Sequence, residues 1–309
     1  YVGAYDYRSA GAAGGCRYRY YWRERICLCP DKEECGAVSG ALLDIEKVSC
    51  GYGGKMVLED VSLTIEDREI VTIIGPNGSG KTTLLRAVSR ILPLRRGKIL
   101  LSGVDIHQMT PGKLARQIAV VGQFREPVPM AVRDYVLLGR IPYYKRFQFI
   151  ETDRDTALAD RYIRLTGIED CRDKRLNQLS GGQMQLAAIA RALVQEPKLL
   201  LLDEPTAHLD ITHQARILDL IRRLNRELVV TVLMVLHDLN LASEYSHRLA
   251  LIKDGRLVAC GQPEQVLTYN IVEDVYDTVV VVDKNPLSGR PHVFLVTEEQ
   301  RQEQRRART

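Results

Sequence analysis

Long apolar runs are missing from this chain of 309 residues. The longest, such as Val229 to Leu236, fall well short of the ~18 residues that suggest a spanning helix, so the chain is expected not to cross a bilayer by itself. Cysteine is scarce and odd in number: seven, of which Cys16, Cys27, Cys29 and Cys35 crowd into the first 36 residues. That is too few for a disulfide scaffold, and the spacing lacks the paired Cys-x-x-Cys of a zinc site, which leaves reduced, unpaired thiols in a reducing compartment. Charge of one sign is missing too. Lys+Arg 43 against Asp+Glu 39 leaves +4, too little to coat a polyphosphate. Nucleic acid is therefore not expected as a partner, and any anion site must be local.

What remains is ordinary globular composition, 45% apolar and 27% charged. The length exceeds the roughly 100–200 residues of one typical domain, which fits one large α/β domain with appended ends or two modest domains. Residues 1–40 stand apart as an unstructured or atypical extension. Six of the fourteen tyrosines fall between Tyr1 and Tyr21, interleaved with Gly, Ala and Arg and without helical or strand period. No apolar core of a secretory signal is present there. The first methionine is Met56. The expectation is a natural start near Val38, read from a non-Met codon, with extra translated sequence before it. An RNA-binding Arg/Tyr tail is disfavoured because five acidic residues accompany six basic ones up to residue 37.

From Leu42 the texture changes. Alternating strands at Leu42–Val48 and Val61–Ile65 precede the β-branched run Ile70–Ile74, a buried-strand pattern. An amphipathic helix is expected from about Thr82 to Leu92, and the polar stretch from about Arg125 to Gln178 reads mostly helical. Further buried strands are Leu199–Leu202 and Val229–Leu236. A hairpin of Leu249–Lys253 and Arg256–Ala259 turns at Asp254-Gly255. Strands separated by helices imply a parallel sheet. Residues 271–309 form a C-terminal extension, with a strand pair (Val279–Val282, His292–Val296) and a charged tail from Glu298.

Between strand and helix lies Gly75-Pro76-Asn77-Gly78-Ser79-Gly80-Lys81-Thr82-Thr83, which fits Gly-x-x-x-x-Gly-Lys-Thr in the required context. Gly78 and Gly80 let the backbone wrap a phosphate with its N–H groups inward, and the helix N-terminus adds positive potential. Lys81 supplies a charge to the β/γ-phosphates, and the Thr82 hydroxyl suits Mg²⁺. The site is expected to take a nucleoside triphosphate with Mg²⁺. Asp203, ending a four-leucine strand, can hold the metal through water, and the adjacent Glu204 can orient or deprotonate an attacking water. His237 ends another strand, within reach of a γ-phosphate, although a lone His is more often structural. Ser180 is a natural helix cap, and Gly181, Gly182 and Gln183 follow it, making a second anion cradle. One nucleotide does not need two such cradles; the second makes sense if it serves the ATP of another subunit.

The phosphate loop, Gln123, Leu179-Ser180-Gly181-Gly182-Gln183, Asp203-Glu204, Ala207-His208-Leu209-Asp210 and His237 together resemble, in order and spacing, an ABC ATPase cassette across roughly residues 42–270. The resemblance implies an α/β P-loop NTPase over 41–270, with a RecA-like parallel-sheet core, an antiparallel β subdomain and a helical signature subdomain at about 124–190. It implies that Tyr52, 29 residues before Lys81, stacks on adenine, that Gln123 touches Mg²⁺, and that Asp210 couples two sites across a dimer in which Ser180 and Gly182 act in trans. Leu137–Tyr143, Pro205–Ile211, Leu236–Ala242 and Lys253–Leu267 resemble more closely the importers of iron chelates, haem and vitamin B12. Such a protein is peripheral on the cytoplasmic face of the membrane. It drives a polytopic permease fed by a substrate-binding protein. Molybdate or tungstate importers use similar cassettes. Leu186 departs from the family, which usually has a basic residue there.

Three rival readings fit the sequence less well. A soluble ABC ATPase of translation or DNA repair generally carries two cassettes or an inserted coiled coil, whereas 99 residues without sustained heptads separate Lys81 from Ser180. A small-molecule P-loop kinase has no use for the signature or for the Gln123/His237 pair. An exporter cassette is disfavoured only by analogy.

Overall fold

The computed structural model describes residues 40–122, 129–144, 150–297 and 299–300. Two sheets face each other. The first is antiparallel, built from β1 (Ala41–Tyr52), β2 (Lys55–Glu66), β4 (Arg96–Leu101) and β5 (Val104–Asp105) in the order β2-β1-β4-β5. Gly53 and Gly54, both at positive φ, close the β1–β2 hairpin in the manner a tight two-residue turn requires.

The second sheet contains β3 (Ile70–Ile74), β6 (Ile118–Val121), β7 (Leu199–Asp203), β8 (Thr231–Val235), β9 (Arg248–Lys253) and β10 (Arg256–Gly261), ordered β10-β9-β3-β8-β7-β6. All neighbours are parallel except β10, which returns along β9. Every residue of β3, β7 and β8 is buried. Their side chains alternate between two cores, as a period of two demands. Val71, Ile73, Leu199, Leu201, Leu233 and Val235 face the antiparallel sheet and α1 (Lys81–Val88), while Ile70, Leu200, Leu202, Val232 and Met234 face the helical layer. Both faces being covered is why these strands read as continuous apolar runs.

α2 (Pro111–Ala115) buries Leu114 on the side of the antiparallel sheet, and the helical layer comprises α3 (Val132–Leu137), α4 (Asp153–Leu165), α5 (Gly181–Leu193), α6 (Ile211–Leu228), α7 (Leu239–Tyr245), α8 (Pro263–Val266) and α9 (Tyr269–Tyr276). Leu186, the departure noted above, is buried in this core on α5. The last strands, β11 (Val280–Lys284) and β12 (Pro291–Leu295), form a separate antiparallel pair. Asn240 of α7 pins it by exchanging hydrogen bonds with the Val293 backbone, and Ser243 donates to the Pro291 carbonyl at 2.7 Å.

Several expected boundaries move. The helix after the phosphate loop stops at Val88 rather than Leu92, with Arg90 at positive φ just beyond it. The strand expected from Val229 begins at Thr231, because α6 runs to Leu228 and Val229 caps it in the left-handed region. β4, β5 and β6 were not anticipated. β4 mixes glycine and charge with its apolar residues, and β6 is only four residues long. The expectations for residues 1–39, including Cys16, Cys27, Cys29 and Cys35, and for most of the charged tail lie outside the described residues. Among the described ones, Cys50, Cys171 and Cys260 form no disulfide, and no group of three or more His, Cys, Asp and Glu is placed to hold a metal ion.

Candidate nucleotide site

The C-terminal ends of the parallel strands bring the sequence-predicted residues together. At the end of β3 the backbone turns so tightly that a Cβ on Gly75 would lie 2.0 Å from the Ile252 carbonyl oxygen, which only glycine avoids. Gly78, by contrast, sits at positive φ with nothing within 4 Å of where a Cβ would be, so that side of the loop is an open cradle. The Ser79 hydroxyl is buried there without a hydrogen-bond partner. An open backbone cradle carrying an orphaned donor is what a phosphate group fits.

Lys81 opens α1 and is only 6% exposed, its Nζ donating to the Gly75 and Pro76 carbonyls at 2.8 Å each. Burial holds its pKa below the ordinary lysine value, with the charges of Glu204 and Asp203 opposing that shift. A desolvated ammonium held against the loop gains from any anion placed beside it. On the outer flank of the loop, Pro76 to Ser79 face Lys253, Val275, Tyr276 and Asp277 across a cavity of about 220 Å³. Burial pushes the Tyr276 phenol up to about 12, against a hydrogen bond from the Gly75 backbone, so this hydroxyl stays protonated.

Thr82 donates its hydroxyl to Asp203 Oδ1 at 3.0 Å, tying the start of α1 to the end of β7. Burial raises the Asp203 pKa, and the Thr82 hydrogen bond pulls the other way. These two oxygens form the hard donor set a magnesium ion prefers. Gln123, the third expected metal contact, lies outside the described residues. Glu204 follows in the left-handed region at φ 52, with its Oε1 2.5 Å from Nε2 of His237. The pair meets because β7 and β8 are adjacent parallel strands in register, Asp203 beside Val235. Tyr52, at the tip of β1, is 42% exposed and accepts a hydrogen bond from Arg86 of α1 at 3.0 Å, leaving its ring accessible beside the loop.

Ser180, Gly181, Gly182 and Gln183 belong to α5. Ser180 and Gln183 form a reciprocal capping box, the Gln183 amide donating to the Ser180 hydroxyl and the Ser180 amide to Gln183 Oε1. Gly182 lies against His213, and Asp210 caps α6 while holding the same histidine at 2.9 Å from both carboxylate oxygens. Among the described residues, no hydrogen bond links Ser180, Gly181 or Gly182 to the phosphate loop.

Residues 58–207 match a family model described as ABC transporter. YusV of Bacillus subtilis, named as the ATP-binding protein of a siderophore transport system, is 41% identical over 250 residues, 81% of this chain and 90% of that protein. The chain belongs to the ABC transporter ATP-binding proteins. Its fold is that of an ABC ATPase cassette. A chain from an inward-facing transporter assigned to the metal-chelate type superposes with a TM-score of 0.74 at 25% identity, covering 84% of this chain and 99% of the other. A bacterial ABC transporter cassette solved as a dimer superposes with a TM-score of 0.63 at 29% identity, over 71% and 98% respectively.

As an ABC ATPase, the chain carries site neighbours that sequence reasoning missed. His213 was legible only as the third residue after a helix-capping aspartate. Arg86 and Tyr276 carry no motif; tertiary packing alone brings them to Tyr52 and Gly75.

Proposed function

We propose that this cassette hydrolyses ATP to drive uptake of a metal chelate, a ferric siderophore first, with haem or cobalamin as alternatives, through a membrane permease. The observation that carries the ATPase mechanism is the convergence of Lys81, Thr82, Asp203, Glu204 and His237 at neighbouring strand ends. The likeness to YusV and to the metal-chelate type transporter supports the cargo class.

The γ-phosphate of ATP lies over the Gly75–Thr83 loop, where the backbone amides and Lys81 balance its charge. Thr82 and Asp203, with Gln123, would hold Mg²⁺, which would supply positive charge against the charge developing on the phosphate. Glu204 orients the attacking water and takes its proton as the in-line displacement proceeds, and His237, beside it, donates a hydrogen bond toward the γ-phosphate. Tyr52 stacks on adenine.

Two copies sandwich two ATPs head to tail, so Ser180, Gly181, Gly182 and Gln183 of one copy complete the site of the other, with Asp210 coupling the two. The solved dimeric cassette supports this arrangement. The helical region passes the motion to a polytopic permease at the cytoplasmic face, itself fed by a substrate-binding protein.

Affinity purification of the tagged chain from detergent-solubilised membranes tests the assignment. A stoichiometric partner with many spanning helices is expected, and its binding protein is then screened against ferric siderophores, haem, cobalamin and molybdate. Recovery without such a partner favours a soluble ABC ATPase, and capture of molybdate alone overturns the chelate assignment.

A further inference from the structure

Arg140 is a charged side chain at 3% exposure that the nucleotide chemistry does not use. It sits in the 3-10 turn Leu138–Tyr143 and spends its guanidinium on three neighbours. Nε donates to Asp155 Oδ1 at 2.8 Å, and Nη1 donates to the Val194 carbonyl at 2.9 Å and to Glu196 Oε2 at 3.1 Å. The group lies 3.8 Å over the Tyr143 ring, whose hydroxyl donates to the Gln195 carbonyl at 2.9 Å. One position earlier, a Cβ on Gly139 would fall 2.1 Å from the Arg191 carbonyl oxygen, so the turn rests directly on α5.

These partners belong to two different helices. Asp155 is the third residue of α4 and part of its capping box with Thr152, whereas Val194 and Glu196 close the C-terminal end of α5. A buried ion pair is weak grounds for stability, since apolar residues of similar volume usually serve as well. What a guanidinium offers instead is direction: a planar fork whose donors fix the relative angle of every group they touch. The helix it fixes starts at Ser180.

We propose that Arg140 is a positioning residue for the signature, clamping the far end of α5 to the 138–143 turn and to α4 so that Ser180 and Gly182 meet the second cassette's ATP at a set angle. A 13-residue α-helix spans ~20 Å and transmits a tilt at one end to the other. Nucleotide binding within one copy uses the phosphate loop and does not depend on that angle. Closure of the dimer does. The inference rests on the dimer reading above.

The test uses the full chain in the Glu204→Gln background, which is expected to hold the ATP-bound dimer. Arg140→Met and Arg140→Lys are added separately, with a fluorescent ATP analogue reporting binding and analytical ultracentrifugation reporting ATP-dependent dimerisation. The expected result is binding within about twofold of the parent and dimerisation weakened by about tenfold or more in Arg140→Met, with partial recovery in Arg140→Lys. Unchanged dimerisation, or binding and dimerisation falling together in a folded variant, overturns the proposal. Should Arg140→Met not fold, Arg140→Lys with the parent's melting temperature decides by the same two readings. A Glu204→Gln parent that does not dimerise with ATP sinks the dimer reading instead, a separate outcome.

Discussion

Gly182 lies so close to His213 that a Cβ placed on it would fall 2.4 Å from the imidazole Cδ2. Asp210, at the start of the same helix as His213, grips that ring from the other side. The signature and the Asp210 segment are therefore one packed unit, and a methyl group at residue 182 displaces the histidine from both. Gly182→Ala is expected to lower kcat at least tenfold, with ATP binding by the single cassette retained. Normal turnover in this variant removes the packed unit from the mechanism.

Glu204→Gln keeps the shape of the side chain and removes the carboxylate proposed as the base. Hydrolysis is expected to fall by about 10²–10⁴-fold while ATP binding persists and the dimer accumulates. Because Glu204 and His237 lie 2.5 Å apart, the double variant Glu204→Gln/His237→Ala should lose little more than the first substitution alone. Steady-state turnover of Glu204→Gln, His237→Ala and the double variant decides this; additive losses separate the two residues.

Burial of Asp203 disfavours its charged form, which is expected to carry a cost in stability. Its folded pKa is raised, so the charged form is disfavoured in the fold, and that cost is absent below the unfolded carboxyl pKa and complete above the folded one. Asp203→Asn retains an acceptor for Thr82 and is expected to melt no lower, and at neutral pH higher, than the native chain. The gain should vanish in acid, below about pH 4. Its Mg²⁺-dependent hydrolysis should drop by about 10²-fold or more. A lower melting temperature at neutral pH contradicts the assigned cost.

Asp155 behaves in the opposite sense. Burial pushes its pKa up, but hydrogen bonds from Thr152 and Arg140 outweigh that and hold it below the ordinary carboxylate value. Its contribution is therefore present above the unfolded pKa and lost as pH falls through the folded one. Acid unfolding of Asp155→Asn should be flatter than that of the native chain below about pH 4, and Thr152→Ala should cost about 1 kcal/mol through its cap. Coincident acid limbs for native and Asp155→Asn chains remove the effect.

Lys81→Ala should weaken ATP binding itself by about 10-fold or more, since a charge-assisted contact to phosphate is lost. Deletion of residues 1–37 should leave ATPase activity intact. A large loss on that deletion gives the N-terminal stretch a role in the enzyme.

Local chemistry made much of this protein legible without coordinates. The run Ile70–Ile74 is apolar on both faces, so it had to be a strand buried between layers, and the glycines and Lys81 after it had to turn into a helix. Ser180, as a natural cap, likewise named a helix start. Short or mixed segments were illegible for the same reason in reverse. Ile118–Val121 is too brief to show a period, and Val229 looks like strand until α6 reaches it.

The sequence by itself determined the family, the phosphate loop and the order of the strand-end residues, because each rests on neighbours within a few positions. Only the tertiary structure decided which strand ends stand side by side, placing Glu204 against His237. It alone put Gly182 on His213 and drew Asp155, Val194 and Glu196 around Arg140. Those contacts join residues far apart in the chain, and what selects them is the burial of both faces of one sheet and the packing of helices upon it, which no local pattern encodes.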